Sequence, residues 1–483
     1  MKARIMMFAA HMVVAVVLAA GSEPATALTP AEAGARLRVA TQMARERNDS
    51  SLVAMVEKLA REFKGGLPAD ADARLRAVEK EAGIDPGGWS MAGQPLFRPT
   101  PEMQAKLKAL GPGLADAMRS GDPAAVRAVT AEMLRVLGDQ AGVPDGRRPG
   151  RAARPHPLGE AEATGLFLDA LESKGQAVRQ MAEGKPLPDQ MLRVYGDLLN
   201  AVAGIRPFVA KHRPAALGDL DGLARGLASI LMSLQQSAGY FPFPDLRGKN
   251  IRFGDMIQRQ ADSGRAEVRD GWIITTEPDG GTQFDTGVCG IALLLAGESF
   301  GRDEWKRAGL RAADWALGQP CCANFNYNAF SVSLLAHAFR ATREARYLEG
   351  ALQKFRVGVA PGQAPNGRWV DPHNARTVYH VIILRALGDL GGVVPKEQRP
   401  EVDAVAKPAI RALLDEFDAM GVTVEALAEL KALARLYPAD SRLGNAVQTM
   451  AGSIIAKCTD GRRVKMGAGP GQMAALVNVR GAD

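Results

Sequence analysis

The sequence predicts an all-α fold: an α/α toroid of helical hairpins preceded by a smaller N-terminal helical domain. Three observations carry this expectation. Stretches 286–297 and 326–339 contain no Asp, Glu, Lys or Arg, whereas 302–318 holds seven and 343–356 holds six. The alternation continues with 376–389, mostly apolar with three charges, and 399–418 with eight. The repeat is about 40 residues, the length of a stacked helical hairpin. A helix that is apolar all round is buried, while a charged amphipathic one packs by a single stripe. Alternating the two predicts an inner ring of neutral helices wrapped by an outer ring of charged ones. An open solenoid would leave both helices of each hairpin half exposed, so the closed form is preferred.

Taken in order, residues 1–27 read as a signal peptide. Lys2 and Arg4 form a short basic region, Ile5 to Ala20 is uncharged and mostly apolar, and Ala25-Thr26-Ala27 is an A-x-A cleavage pattern. The apolar run is shorter than the roughly 20 residues of a comfortable span; an uncleaved anchor is the alternative. The expectation is an exported protein, periplasmic or secreted, with no transmembrane segment after cleavage. Losing Lys2, Arg4 and Glu23 takes the formal charge from +7 to +6. That basic excess favours anionic partners such as acidic polysaccharide or a lipid surface without selecting one. No recognised nucleic-acid motif is present, so nucleic acid is disfavoured.

Residues 28–142 form the expected N-terminal helical domain. Thr29-Pro30-Ala31-Glu32 has a cap residue followed by proline at the first helical position. Helices are expected over 51–63, 70–82, 101–118 and 123–138. In the last, Val126, Val129, Met133, Val136 and Leu137 recur at spacings of three and four. Residues 143–158 form a linker, because Pro144, Pro149, Pro155 and Pro157 block helix among four arginines.

The toroid is expected over 159–457, opening with helices at 160–183, 188–211 and 217–237. On the charged helices the buried stripes are Trp305, Ala308, Ala312 and Trp315, then Leu348, Ala351, Leu352 and Phe355. Phe284-Asp285 and Phe325-Asn326 align at an offset of 41, with Leu293-Leu294 on Leu334-Leu335. A pair at 422–437 and 440–457 continues the pattern. The Gly-rich tail, 458–483, is expected to be irregular.

Cys289, Cys321, Cys322 and Cys458 lack the paired spacing of a zinc site. Export permits a disulfide involving Cys321 or Cys322; small buried thiols are the alternative. Histidines are scarce and show no H-x-x-x-H spacing, which disfavours a zinc hydrolase. No metal ligand is assigned and the cofactor is unknown, with calcium in the carboxylate loops left open.

Gln235-Gln236-Ser237-Ala238-Gly239-Tyr240-Phe241-Pro242 resembles the Q-x-x-x-G-aromatic-P turn of α/α-toroid proteins. Asp270-Gly271-Trp272 and Asn366-Gly367-Arg368-Trp369 resemble it more loosely. That superfamily includes polysaccharide lyases, six-hairpin glycosidases and terpenoid cyclases. The resemblance spans residues 160–457 and bears on fold more than on activity. The Asp-rich motif of the cyclases is absent, as are the zinc ligands of prenyltransferases.

If the neutral helices form the inner ring, they run parallel and their N-termini open on one mouth. Asp285, Asn326 and Asn374 stand just ahead of them, and each is a good N-cap type. Aligned N-termini would give that mouth a positive partial field. Tyr240, Trp272, Phe284, Phe325, Tyr327 and Trp369 are expected to offer flat stacking surfaces. Core packing explains any one of these aromatics, but explains their recurrence at successive hairpin starts less well.

Lyases of this fold combine Asn, His, Tyr and Arg, as the resemblance implies. Here those types are Asn326, His373, Tyr379 or Tyr327, and Arg376, with Asn374 and His380 adjacent, and Asp285 is a further catalytic candidate. Asn would polarise a uronate carboxylate, His or Tyr would take the C5 proton, and Tyr would return one. A glycosidase instead needs two carboxylates about 5–9.5 Å apart, for which Asp245, Asp279, Asp285 and Asp371 are available. The third reading is non-catalytic: a glycan-binding module or an envelope scaffold. The expected partner is an acidic polysaccharide or cell-envelope glycan.

Overall fold

The computed structural model describes residues 37, 40–41, 50–63, 66–68, 70–81, 100–143, 159–248, 251–264, 266–275, 281–420, 426–460, 463–464 and 470–476. The expected signal peptide, residues 144–158 of the linker, and Asp279 lie outside them. Within the described residues the chain is helical apart from small antiparallel sheets. The fold is all-α.

Helices α1 (Ser50–Phe63) and α2 (Ala71–Glu81) share a small core of Leu52, Val56, Leu59, Leu75 and Val78. In α3 (Pro101–Ser120) and α4 (Pro123–Leu137) a proline opens each helix behind a capping side chain. Thr100 accepts from the Met103 N–H and Asp122 from the Ala124 N–H. The expected N-terminal domain needs correction here. Leu107, Leu114, Met118, Val126 and Met133 belong to the main core, and Asn366 donates to the Ala141 carbonyl at 3.1 Å. An apolar stripe states that a helix is covered, not which element covers it.

Past the linker run α5 (Glu160–Glu172), α6 (Gln176–Ala182), α7 (Leu192–His212) and α8 (Leu217–Leu234). The chain then makes an excursion through β1 (Phe243–Pro244), α9 (Ile251–Asp262), β2 (Ala266–Arg269) and β3 (Trp272–Thr275). The strands pair antiparallel in the order β1-β3-β2. Asp270 and Gly271 both have positive φ, 51° and 80°, the signature of a two-residue type I′ hairpin. Asp270-Gly271-Trp272 is therefore a strand turn and not a copy of the toroid turn.

Helices α10 (Gly281–Ser299) and α11 (Asp303–Gly318) follow, then α12 (Phe325–Thr342) and α13 (Ala345–Gly358). A short α14 (Pro372–Ala375) leads into α15 (Thr377–Gly391), α16 (Arg399–Met420), α17 (Leu427–Leu436) and α18 (Ser441–Cys458). The neutral or mostly apolar helices α10, α12 and α15 are the buried ones, and they pack in sequence between the charged α7 and α17: α7 on α10, α10 on α12, α12 on α15, α15 on α17. Each also packs on the helix that follows it. Glycines permit this closeness. A Cβ at Gly287 would lie 2.7 Å from Phe330 Cβ, and one at Gly290 2.8 Å from a Leu334 methyl.

The true partner of the Gln235 turn is the Gln363 turn. Gln235 Nε2 donates to Gly239 O (2.8 Å) and to Ala308 O on α11 (2.9 Å). Gln363 Nε2 donates to Gly367 O (3.1 Å) and to Val405 O on α16 (2.8 Å). Gly239 (φ 104°) and Gly367 (φ 84°) sit where a Cβ would lie 2.2–2.3 Å from the carbonyl oxygens of Arg311 and Pro408 respectively. The two turns seat α11 and α16 in the same way.

The tail is not irregular throughout. Strands β4 (Thr459–Asp460) and β5 (Arg463–Val464) pair, and α19 (Pro470–Ala474) packs against α5 and α7. Met473, Ala474 and Leu476 are buried there, and Lys431 Nζ on α17 donates to Leu476 O at 2.7 Å. The glycines around this short apolar run hide it from a compositional reading. Among the described residues no helix is long and apolar enough to cross a membrane.

Candidate functional site

The first turns of α7, α10 and α12 converge with the α14–α15 junction. Phe284, Val288, Phe330, Tyr379 and Ile382 form one apolar cluster, with Tyr327 and Val378 packed on it. Phe284 stacks on Phe330 at 4.2 Å and tilts against Tyr327 at 6.1 Å. Residues near the starts of α10, α12 and α15 are in contact here.

Asp285, Asn326 and Asn374 are not N-caps. Helix α10 begins at Gly281, so Asp285 lies in its second turn; Asn324 stands at the N-cap position of α12 with no side-chain cap bond; and Asp371 caps α14. Asp285 is almost fully buried and accepts from Arg193 at two points, Nε (2.8 Å) and Nη2 (2.6 Å). The guanidinium also lies 3.7 Å over the Phe284 ring and 5.6 Å from that of Phe243. Burial opposes the charge on Arg193, but Asp285 outweighs it and raises the guanidinium pKa. Arg193 escaped the sequence reading; its signal was an arginine beside Leu192 in an otherwise apolar helix start.

The amides form a chain. Asn374 donates to the Asp371 carboxylate from its backbone (2.9 Å) and from Nδ2 (3.0–3.1 Å). Asn374 Oδ1 in turn accepts from Asn326, both backbone N–H (3.0 Å) and Nδ2 (2.8 Å), and Asn326 Nδ2 also reaches Asn324 Oδ1 (2.8 Å). Burial raises the Asp371 carboxyl against the donors that stabilise its anion. The two Nδ2 hydrogens of Asn326 are thus engaged within the protein. The expected role of polarising a substrate carboxylate is closed to them.

His373 stacks on Tyr379 at 4.1 Å, and Arg376 lies 4.8 Å over the Tyr379 ring. Arg376 Nη2 donates to His373 Nδ1 and Arg376 Nε to the His373 carbonyl (3.3 Å). Burial, then the Arg376 charge, push the imidazole down to about 3. A guanidinium has no acceptor, so Nδ1 carries the lone pair and Nε2 the hydrogen. His373 is therefore a neutral donor and not the expected base.

The remaining stacking candidates lie elsewhere. Phe325 and Trp369 are fully buried; Trp369 donates to Val359 O (3.0 Å) and meets His380 edge-on at 5.5 Å. Tyr240 packs on Trp315 at 5.5 Å, and Trp272 is held in β3 against the main core. Of the loop acids, Asp245 is bound by Arg247, Asp285 by Arg193 and Asp371 by Asn374. Cys289, Cys321 and Cys322 are all buried, and the Cys322 thiol donates to the Asn324 carbonyl at 3.6 Å. Among the described residues no group of three or more His, Cys, Asp or Glu is placed to hold a metal ion.

No protein-family model matches the chain, and no curated protein is significantly similar to it.

Proposed function

We propose that the helices form a closed α/α toroid and that the mouth at its inner helix starts binds a glycan. The succession α7, α10, α12, α15, α17 supports the ring, as does α19, which links the α17 end of the series to α5 and α7. For the glycan, the supporting observation is the cluster itself. His373 and Tyr327 are only half-buried, and they stand beside the buried amides of Asn326 and Asn374. Flat rings beside fixed amides match the apolar face and the hydroxyls of one sugar unit. The cluster's charges offset one another, Arg193 against Asp285 and Arg376 against Asp371. Hydrogen bonds and stacking, rather than net charge, then set the affinity.

The glycosidase reading loses support because the described loop acids are each engaged by a protein donor. A lyase is the second reading, favoured by Tyr379 lying against both His373 and Arg376. Tyr379 would take the C5 proton while the C4–O bond breaks and a C4=C5 double bond forms, and would return that proton to the leaving oxygen. Titration calorimetry with uronate and neutral polysaccharides tests binding, and ultraviolet absorbance of unsaturated ends tests elimination. Saturable binding without new absorbance is the expected result. Absorbance that grows with time moves the assignment to a lyase; no binding to either polymer class removes the site.

A further inference from the structure

The two matched turns hand the chain on differently. The Gln363 turn runs through Val370 and Asp371 straight into α14. The Gln235 turn reaches α10 only after the excursion from β1 to β3. One turn geometry with and without the detour marks the excursion as an insertion. In its core Leu246, Ile257, Ala266 and Ile273, with Phe243 and Val268 packed on them, join Met191. The Phe241 N–H donates to Thr286 Oγ1 at 3.1 Å and pins the base of the excursion to α10.

This anchoring puts Phe243 beside the mouth. Met191 directly precedes α7, and Arg193 lies in the first turn of that helix. The Arg193 guanidinium stands 5.6 Å from the Phe243 ring and 3.7 Å from that of Phe284. Tyr327, whose ring tilts on Phe284 at 6.1 Å, also acts on the Arg193 charge. Phe243 and Tyr327 are therefore neighbours of one cation, and each keeps part of its surface in contact with solvent. Asp285 holds that cation at two points, so it is fixed and its charge is met. The placement of the two rings is then set before a ligand arrives, which lowers the ordering cost of binding.

An aromatic ring offers one flat apolar face, enough for one sugar unit. Two such rings flanking a neutralised arginine suit two units of one chain. We propose that the mouth takes a glycan of at least two units, with the excursion supplying the second stacking surface through Phe243. This rests on the glycan-binding reading above and narrows the ligand to an oligosaccharide or polymer. A single sugar would meet the Tyr327 side, beside the amides of Asn326 and Asn374, and leave Phe243 uncovered. A second, linked unit adds its contact without a second loss of translational freedom, so affinity rises with chain length.

The experiment uses the full chain and titration calorimetry with two ladders of one to four units, oligogalacturonates and cello-oligosaccharides. In the ladder that binds, the trimer is expected to bind at least about tenfold more tightly than the monosaccharide. In Phe243→Ala the trimer should bind about as weakly as the monosaccharide, while Phe243→Trp should keep the gain. Phe243→Leu retains an apolar side chain in the excursion's core without a flat face. It should lose the gain as well, and it replaces the alanine variant should that one fail to fold. Equal wild-type affinity for monosaccharide and trimer overturns the two-unit reading while the site stands. A gain with length that survives Phe243→Ala or Phe243→Leu overturns the role of the excursion. No binding to any member of either ladder, nor to the parent polymers, overturns both.

Discussion

Arg193 and Asp285, 92 residues apart in sequence, meet as a two-point ion pair at 2.8 and 2.6 Å with almost no exposure to solvent. The pair fastens the start of α7 to the second turn of α10, and the Phe284 ring lies against its cationic face. Breaking such a pair from one side leaves a buried charge without a counter-ion. Arg193→Leu should therefore cost about 3–5 kcal/mol in denaturant unfolding. Adding Asp285→Leu should recover much of that loss. A double variant as unstable as the sum of the singles would show that packing, not charge, holds this junction.

The turn glycines offer a test of the repeated hairpin geometry. Gly367→Ala places a methyl within 2.3 Å of the Pro408 carbonyl, at a φ of 84°. Overpacking of this kind costs about 1–3 kcal/mol, and the left-handed backbone adds about 1–2 kcal/mol. Gly111→Ala in α3, with nothing within 4 Å of the new methyl, should stabilise by about 0.5–1 kcal/mol. Urea midpoints of the two variants should move in opposite directions. Movement in the same direction would contradict the close approach.

Acid should unfold this protein through its buried histidines. The folded-state pKa of His373 is about 3, against an ordinary 6.5, and His380 is pushed down by burial and then by Arg368. Above pH 6.5 neither the folded nor the unfolded chain protonates these rings, and stability is full. Below it the unfolded chain binds protons that the folded chain refuses. Stability then falls by up to about 1.4 kcal/mol per pH unit for each histidine. Across about pH 7 to 5, His373→Phe should flatten the slope by close to one proton. An unchanged slope would place the proton uptake elsewhere.

The helices were legible because burial leaves a strong mark on composition. Neutral stretches such as 326–339 became the buried α12, and charged ones such as 343–356 became the half-exposed α13. Phe284, Tyr327 and Tyr379, picked out by residue type in the sequence, share one apolar cluster, and His373 and Arg376 lie against Tyr379. Their roles did not follow, because a role depends on which hydrogens are already spent. Asn326 and His373 look like a polariser and a base by residue type, and Asn374 and Arg376 turn them into an acceptor and a donor. Arg193 was hidden for a related reason, since its partner stands 92 positions away. Trp369 was misjudged because the turn that resembles a mouth loop folds its aromatic inward.

Helix α19 carries a consequence for how the molecule is made. Its seat is built from α5 and α7, near the start of the array, while Lys431 of α17 holds the residue that follows it. During synthesis α5 and α7 therefore lack this packing until residues 470–476 have been made. Contacts of such long sequence separation form late and leave partly assembled chains prone to association. Residues 470–476 act as a clasp, and a chain lacking them would lose the piece that ties α17 to α5 and α7.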